Sequence, residues 1–128
     1  MVSLNKICWG LVISLFTIGL HAQNVSLEWA TSMGGTSNDY GNSITKDASV
    51  NIYTTGFFDC TADFDPDTAV SFNLNSNNSS DDIFIQKLDA SGNFIWAKSI
   101  GSYGSDRGQS ITTDAIGNVY VTGTFSAI

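Results

Sequence analysis

WATSMGGTSNDYGNSITKDASVNIYTTGFF, from Trp29 to Phe58, returns 67 residues later as WAKSIGSYGSDRGQSITTDAIGNVYVTGTF, from Trp96 to Phe125. The two stretches align without a gap, and about half of the aligned positions are identical. The matches include Trp29/Trp96, Gly34/Gly101, Asp39/Asp106, Gly41/Gly108, Ile44/Ile111, Asp47/Asp114, Asn51/Asn118, Tyr53/Tyr120, Gly56/Gly123 and Phe58/Phe125. Internal repeats of this kind belong to architectures in which each unit buries its core only against its neighbours. The sequence stops inside its second copy, so further copies are expected.

The repeated stretch reads as strand and turn. Asn51 to Phe58 (NIYTTGFF) and Asn118 to Phe125 (NVYVTGTF) alternate β-branched and aromatic residues with small polar ones, the pattern of a strand. Asp82 to Leu88 (DIFIQKL) starts apolar on both faces, which predicts a strand covered on both sides. Phe94–Ile100 is a further strand, and Val25–Met33 is its counterpart one unit earlier. Ser43–Thr45 and Ser110–Thr112 are short strands that lead into turns. No segment after residue 22 carries helical periodicity.

Three turns share one frame: Asp47-Ala48-Ser49-Val50-Asn51, Asp89-Ala90-Ser91-Gly92-Asn93 and Asp114-Ala115-Ile116-Gly117-Asn118. The leading aspartate accepts backbone amides two residues on, and Gly-Asn tolerates positive φ. Val50 stands where glycine is expected. A β-branched residue is costly at positive φ, so the first turn is expected to take another type or one more residue.

These elements assemble into an all-β unit of four antiparallel strands: Ser43–Thr45, Asn51–Phe58, Asp82–Leu88 and Phe94–Ile100. The connection across residues 59–81 is long enough to add an edge strand at Val70–Leu74. Four-stranded sheets with two apolar faces, repeated, are what a β-propeller stacks around its axis. A β-solenoid or a sandwich of short strands is the alternative. On the propeller reading residues 23–128 hold about two blades of the four to eight that a closed ring needs. Their repeat copies are 29–58 and 96–125, with an insertion at 59–81.

Trp-Ala-x-x-x-Gly, the Asp-x-Gly-x-Ser-Ile step, Asp-x-x-Gly-Asn-x-Tyr-x-Thr-Gly and the segments Ala62–Pro66 and Asp82–Ile85 resemble SBBP-type β-propeller repeats. Those repeats occur in secreted and surface proteins of bacteria, especially of the Bacteroidetes group. A more distant similarity is to NHL-type blades. The resemblance covers essentially everything after residue 22. It implies several more repeats, and often a C-terminal sorting or anchoring module.

The N-terminus supports export. Lys6 precedes an apolar run from Ile7 to Leu20, short for a membrane span, and Leu20-His21-Ala22 has the character of a signal-peptidase site. Residues 1–22 are therefore read as a signal peptide, with an uncleaved anchor helix as the alternative, and the product as secreted or surface-located. Its removal takes away Cys8 and His21, the only histidine, and leaves Cys60 as the sole cysteine. No internal disulfide is then possible. Cys60 reads as a small apolar residue buried at a strand end, with a reactive thiol as the alternative. The whole chain has a formal net charge of −7. After residue 22 the bases are Lys46, Lys87, Lys98 and Arg107 alone, which argues against nucleic acid or an anionic membrane as partner.

Asp63, Asp65 and Asp67, in ADFDPDT, have the alternate spacing of the first ligands of a calcium loop. The pattern then departs: Thr68 stands at the glycine position and Leu74 where a bidentate glutamate belongs. A solvated acidic turn is the competing reading, and Ca2+ at these three residues is an expectation for the structure to meet. Asp39 and Asp106 read as turn-closing acceptors rather than ligands. Trp29, Trp96, Tyr53 and Tyr120 read as core residues rather than sugar-stacking rings. Tyr103, in a loop, is placed for surface contact. With no histidine after residue 22, neither a Ser-His-Asp nor a Cys-His arrangement is available.

The function expected from these residues is non-enzymatic: an exported scaffold or binding module. A protein or glycan ligand would meet Gly34–Asn42, Gly101–Gln109 and Asp59–Asp81. The alternatives are the propeller portion of a secreted enzyme whose catalytic residues lie elsewhere, and a calcium-stabilised adhesin.

Overall fold

A computed structural model describes residues 26–126, and the expected signal peptide at 1–22 lies outside them. In chain order the strands are β1 (Gly34–Gly35), β2 (Asp39–Lys46), β3 (Ile52–Phe58), β4 (Thr61–Asp63), β5 (Asn73–Asn75), β6 (Asp82–Leu88), β7 (Phe94–Ile100), β8 (Arg107–Thr113) and β9 (Val119–Thr124). A single 3-10 turn, Asn77–Ser79, precedes β6. The described chain is all-β and every strand pairing is antiparallel. None of the described residues forms a helix long and apolar enough to cross a membrane.

The central element is a four-stranded sheet in the order β2-β3-β6-β7. Its members match the four strands expected from sequence, with β2 longer than Ser43–Thr45. In β6 every residue except Lys87 is buried, as a strand covered on both sides requires. One face of the sheet contributes Phe58, Phe84 and Ala97 to a core completed by Ala62 and Phe64 of the insertion. Phe64 packs edge-on to Phe58, with ring centroids 5.3 Å apart, and tilted on Phe84 at 5.0 Å. The other face contributes Tyr53 and Ile85, which meet Ile111 of β8 and are flanked by Val119 and Val121 of β9.

Strands β4 and β5 of the insertion join β1 in a three-stranded sheet, β1-β4-β5. The edge strand expected at Val70–Leu74 is thus found at Asn73–Asn75, in a separate sheet rather than on the main one. Gln86 anchors this layer by donating from Nε2 to the Phe64 carbonyl at 2.6 Å, which satisfies a buried amide. Cys60, half-buried, sits at the strand end with φ 61°. Its N–H donates to Ser76 Oγ, and its carbonyl accepts the Ser76 N–H, both at 2.8 Å.

The two repeat copies fold alike. β2 pairs with β3 and β8 with β9 in equivalent registers, Gly41 opposite Gly56 and Gly108 opposite Gly123. Each ladder is interrupted at the same place, between Gly41 and Ser43 and between Gly108 and Ser110. Such a bulge adds local twist, so the repeat preserves the shape of the hairpin as well as its pattern. Of the strand expected at Val25–Met33, the described residues 26–33 belong to no sheet. Its equivalent, β7, exists by pairing with β6, and residues 26–33 have no such neighbour among the described residues.

Candidate functional site

The three Asp-Ala-x-x-Asn turns are closed by the same backbone and asparagine donors, and the first and third add a tyrosine hydroxyl. Asp47 Oδ1 accepts the N–H groups of Ser49 and Asn51 (both 2.9 Å), and Oδ2 accepts Asn51 Nδ2 and Tyr53 Oη. Asp89 repeats this with Ser91 and Asn93, and Asp114 with Ile116, Asn118 and Tyr120. The side-chain hydrogen bond from Asn51, aided by backbone donors and Tyr53, holds the Asp47 carboxyl down at about 2. Asp89 is lowered chiefly by Asn93. At Asp114 loss of hydration is the largest single influence and pushes upward, but the donors from Asn118, Tyr120 and Ile116 together outweigh it. The first turn does not change type at Val50, which takes φ 63° in the same loop that Gly92 (87°) and Gly117 (89°) close. The Asp47 hydrogen bonds hold the five-residue geometry against the side chain's preference.

Asp39 and Asp106 close loops, as expected. Asp39 Oδ2 accepts the Gly35 N–H at 2.7 Å. Asp106 Oδ2 accepts the Ser102 N–H at 2.6 Å, and Oδ1 accepts the Ser126 N–H at 2.8 Å.

Asp63, Asp65 and Asp67 form a ladder of turns. Their Oδ1 atoms accept the N–H of Asp65 (3.0 Å), Asp67 (3.0 Å) and Ala69 (2.9 Å) respectively, and Asp63 also takes Phe72 N–H at 2.9 Å. The Asp65 amide is the main influence that lowers the Asp63 carboxyl. Among the described residues no three carboxylate, imidazole or thiol side chains are gathered in a group fit to hold a metal ion.

The loop that carries these aspartates separates two open clefts, each of about 460 Å³. One runs between Asp65, Pro66 and Asp67 on one side and Trp29, Asn93 and Phe94 on the other. The second is lined by Gly34, Ser37, Asp39, Asp63, Asp65 and Thr68. Trp29 therefore lies at a cleft rather than in a strand core. Its Nε1 donates to the Ala90 carbonyl at 3.2 Å, and its ring lies over Gly92. Trp96, its repeat equivalent, is in β7 with its ring edge-on to Tyr53 at 6.1 Å. The same residue type serves two environments because only Trp96 has a strand to pair with. Tyr103 is exposed in its loop.

The reading of the sequence missed Asp82, which the fold places beside Asp106. Asp82 and Asp106 are both fully buried. Asp82 Oδ2 accepts Asn77 N–H and Nδ2, while Oδ1 is buried without a hydrogen-bond partner. Burial first, and the Asp106 charge after it, push the Asp82 carboxyl up. Asp82 opens a strand beside Asp81, and nothing local in the sequence marks its carboxylate as withdrawn from water. Only the folding of the 101–106 loop over it, with Gly101 directly against its carboxylate, removes it from water.

No family model matches this chain, and no curated protein or solved structure matches it either.

Proposed function

We propose that this chain is a portion of a repeat-built β-propeller of SBBP type, exported to the cell surface or medium and acting without catalysis as a scaffold or binding module. The observation that carries this reading is the stacking of equivalent strands from successive repeats. Asn42 Nδ2 donates to the Gly108 carbonyl at 2.7 Å, the Ile111 N–H to Ser43 Oγ at 3.3 Å, and Thr113 Oγ1 to the Lys46 carbonyl at 3.3 Å. Strand β8 thus lies beside β2 as one propeller blade's inner strand lies beside the next. On this reading β2-β3-β6-β7 is one blade and β8-β9 the first half of another.

The ligand-binding surface in this proposal is the pair of clefts beside residues 63–68. Flat rings at Trp29 and Phe94 facing Asp65, Asp67 and Asn93 suit a glycan or a polar peptide segment. A calcium-stabilised form of the same scaffold is the second reading; Asp39, Asp63 and Asp65 line a single cleft but are not gathered into a preformed metal group, so calcium would have to draw them together. Calcium addition to the protein would then raise its thermal midpoint, and Asp65→Asn would abolish that rise.

The test of the architecture is a chain in which the unit spanning residues 39–105 is repeated in tandem. Small-angle scattering should show a closed disc once about four to eight units are joined. A rod that lengthens with every added unit would overturn the propeller.

A further inference from the structure

The cleft between Trp29 and the acidic loop is chemically one-sided. Every N–H of its two loop walls is already spent. In the hairpin, Ser91 and Asn93 donate to Asp89 Oδ1, and Gly92 donates to the Asp89 carbonyl. In the acidic loop, Asp65 donates to Asp63 and Asp67 to Asp65, while Pro66 has no N–H to give. The side-chain N–H groups are engaged as well, Trp29 Nε1 with the Ala90 carbonyl and Asn93 Nδ2 with Asp89 Oδ2. What remains is acceptors. Asp65 and Asp67 close their turns with Oδ1, and no hydrogen bond among the described residues engages Oδ2 of either, or Oδ1 of Asn93. Among the described residues no basic side chain lines the cleft. The Trp29 indole rests on Gly92 with its N–H satisfied, so what it offers a ligand is its π system.

We infer that this cleft takes an arginine side chain of a partner polypeptide, with the guanidinium between the Trp29 indole and the carboxylates of Asp65 and Asp67. Walls that present acceptors and a ring face are matched by a group that brings donors and positive charge. A guanidinium has only N–H donors, and its planar fork suits a carboxylate at the edge and an aromatic ring at the face. A sugar hydroxyl is an acceptor as well as a donor, and the loop walls have no N–H left to meet it. An anion would face the carboxylates of Asp65 and Asp67. The formal net charge of −7 over the whole chain adds long-range attraction for a basic partner. The inference rests on the reading of this cleft as a binding surface, and it selects the polypeptide over the glycan.

An NMR titration of the full chain with a capped Gly-Arg-Gly peptide tests it, read at the indole N–H resonance of Trp29. The peptide should shift that resonance saturably, and added salt should weaken the binding. A Gly-citrulline-Gly peptide has nearly the same shape without the charge, and should bind about tenfold or more weakly. Asp65→Asn combined with Asp67→Asn keeps the Oδ1 acceptors of both turns and makes donors of the free oxygens. It should weaken the arginine peptide about tenfold or more, with circular dichroism unchanged. An arginine peptide that leaves the Trp29 resonance unmoved, or a citrulline peptide that binds as tightly, would overturn the inference. Maltohexaose, a neutral oligosaccharide, separates the two failures. If it shifts the Trp29 resonance and the arginine peptide does not, the cleft stands as a binding surface and the arginine inference is rejected. If neither does, the cleft reading falls with it.

Discussion

Val50 and Gly117 hold the same position in two turns with the same hydrogen bonds, one a β-branched residue at φ 63°, the other a glycine at φ 89°. The left-handed region costs a residue with a Cβ about 1–2 kcal/mol, and glycine offsets part of that gain through its larger unfolded-state entropy. Val50→Gly should therefore stabilise the chain by about 0.5–1 kcal/mol. Gly117→Val should destabilise it by about 1–2 kcal/mol. An added Cβ at Gly117 meets no neighbour, so the second effect would be backbone strain alone. Urea unfolding midpoints of the two variants check both signs.

Phe58 and Phe125 separate the covered from the uncovered copy. Phe58 is 0% exposed and Phe125 is 63% exposed. Phe58→Ala should cost about 3–5 kcal/mol through the cavity between Phe64 and Phe84. Phe125→Ala should fall within about 0.5 kcal/mol of wild type. Equal losses in calorimetry would mean that the second hairpin is covered in solution by a partner.

Acid should act on two carboxyl groups in opposite senses. Asp47 is depressed to about 2 in the folded chain, so its contribution is full above the ordinary carboxyl value and is lost as pH falls from there through about 2. Asp82 is raised. Its protonated form favours the fold, so that contribution is full below the ordinary value and declines as pH rises toward the folded-state value. Asp82→Asn keeps an acceptor for Asn77 and replaces the ionisable group. It should remove the decline and leave the acid-side loss in place. Stability measured from pH 2 to 7 reads the two limbs separately. An unchanged alkaline limb in Asp82→Asn would reject the assignment.

Gly92 carries the Trp29 ring. A Cβ there would stand 3.0 Å from the indole, and φ 87° already disfavours any side chain. Gly92→Ala should lift the ring from the cleft between Asp65 and Asn93. Tryptophan fluorescence should shift red, with strand content by circular dichroism unchanged. An unshifted spectrum would mean that Trp29 is not seated on this hairpin.

The sheet was legible because its signals are local. Alternation places β3 and β6, and the Asp-x-x-x-Asn frame places the turns that join β2 to β3 and β6 to β7. The environment of Trp29 was not legible, because a strand exists only by pairing and the pattern at Val25–Met33 cannot name its neighbour. Val50 was misjudged because propensity weighs one residue, while the Asp47 carboxylate binds four donors at once. The burial of Asp82 depends on residues 101–106, more than eighteen positions away in sequence. The acidic spacing at 63, 65 and 67 correctly marked a turn-forming segment, and the cleft beside it arises only where that segment meets residues 91–94.

The insertion between β3 and β6 covers one face of the sheet it belongs to, while the opposite face is finished by the hairpin that follows. Assembly on this plan has a direction. A lesion in the β8–β9 hairpin weakens the sheet before it in the sequence, whereas a lesion in the 59–81 segment stays within its own unit. Mutational sensitivity along such an array would run one way, from later repeats toward earlier ones.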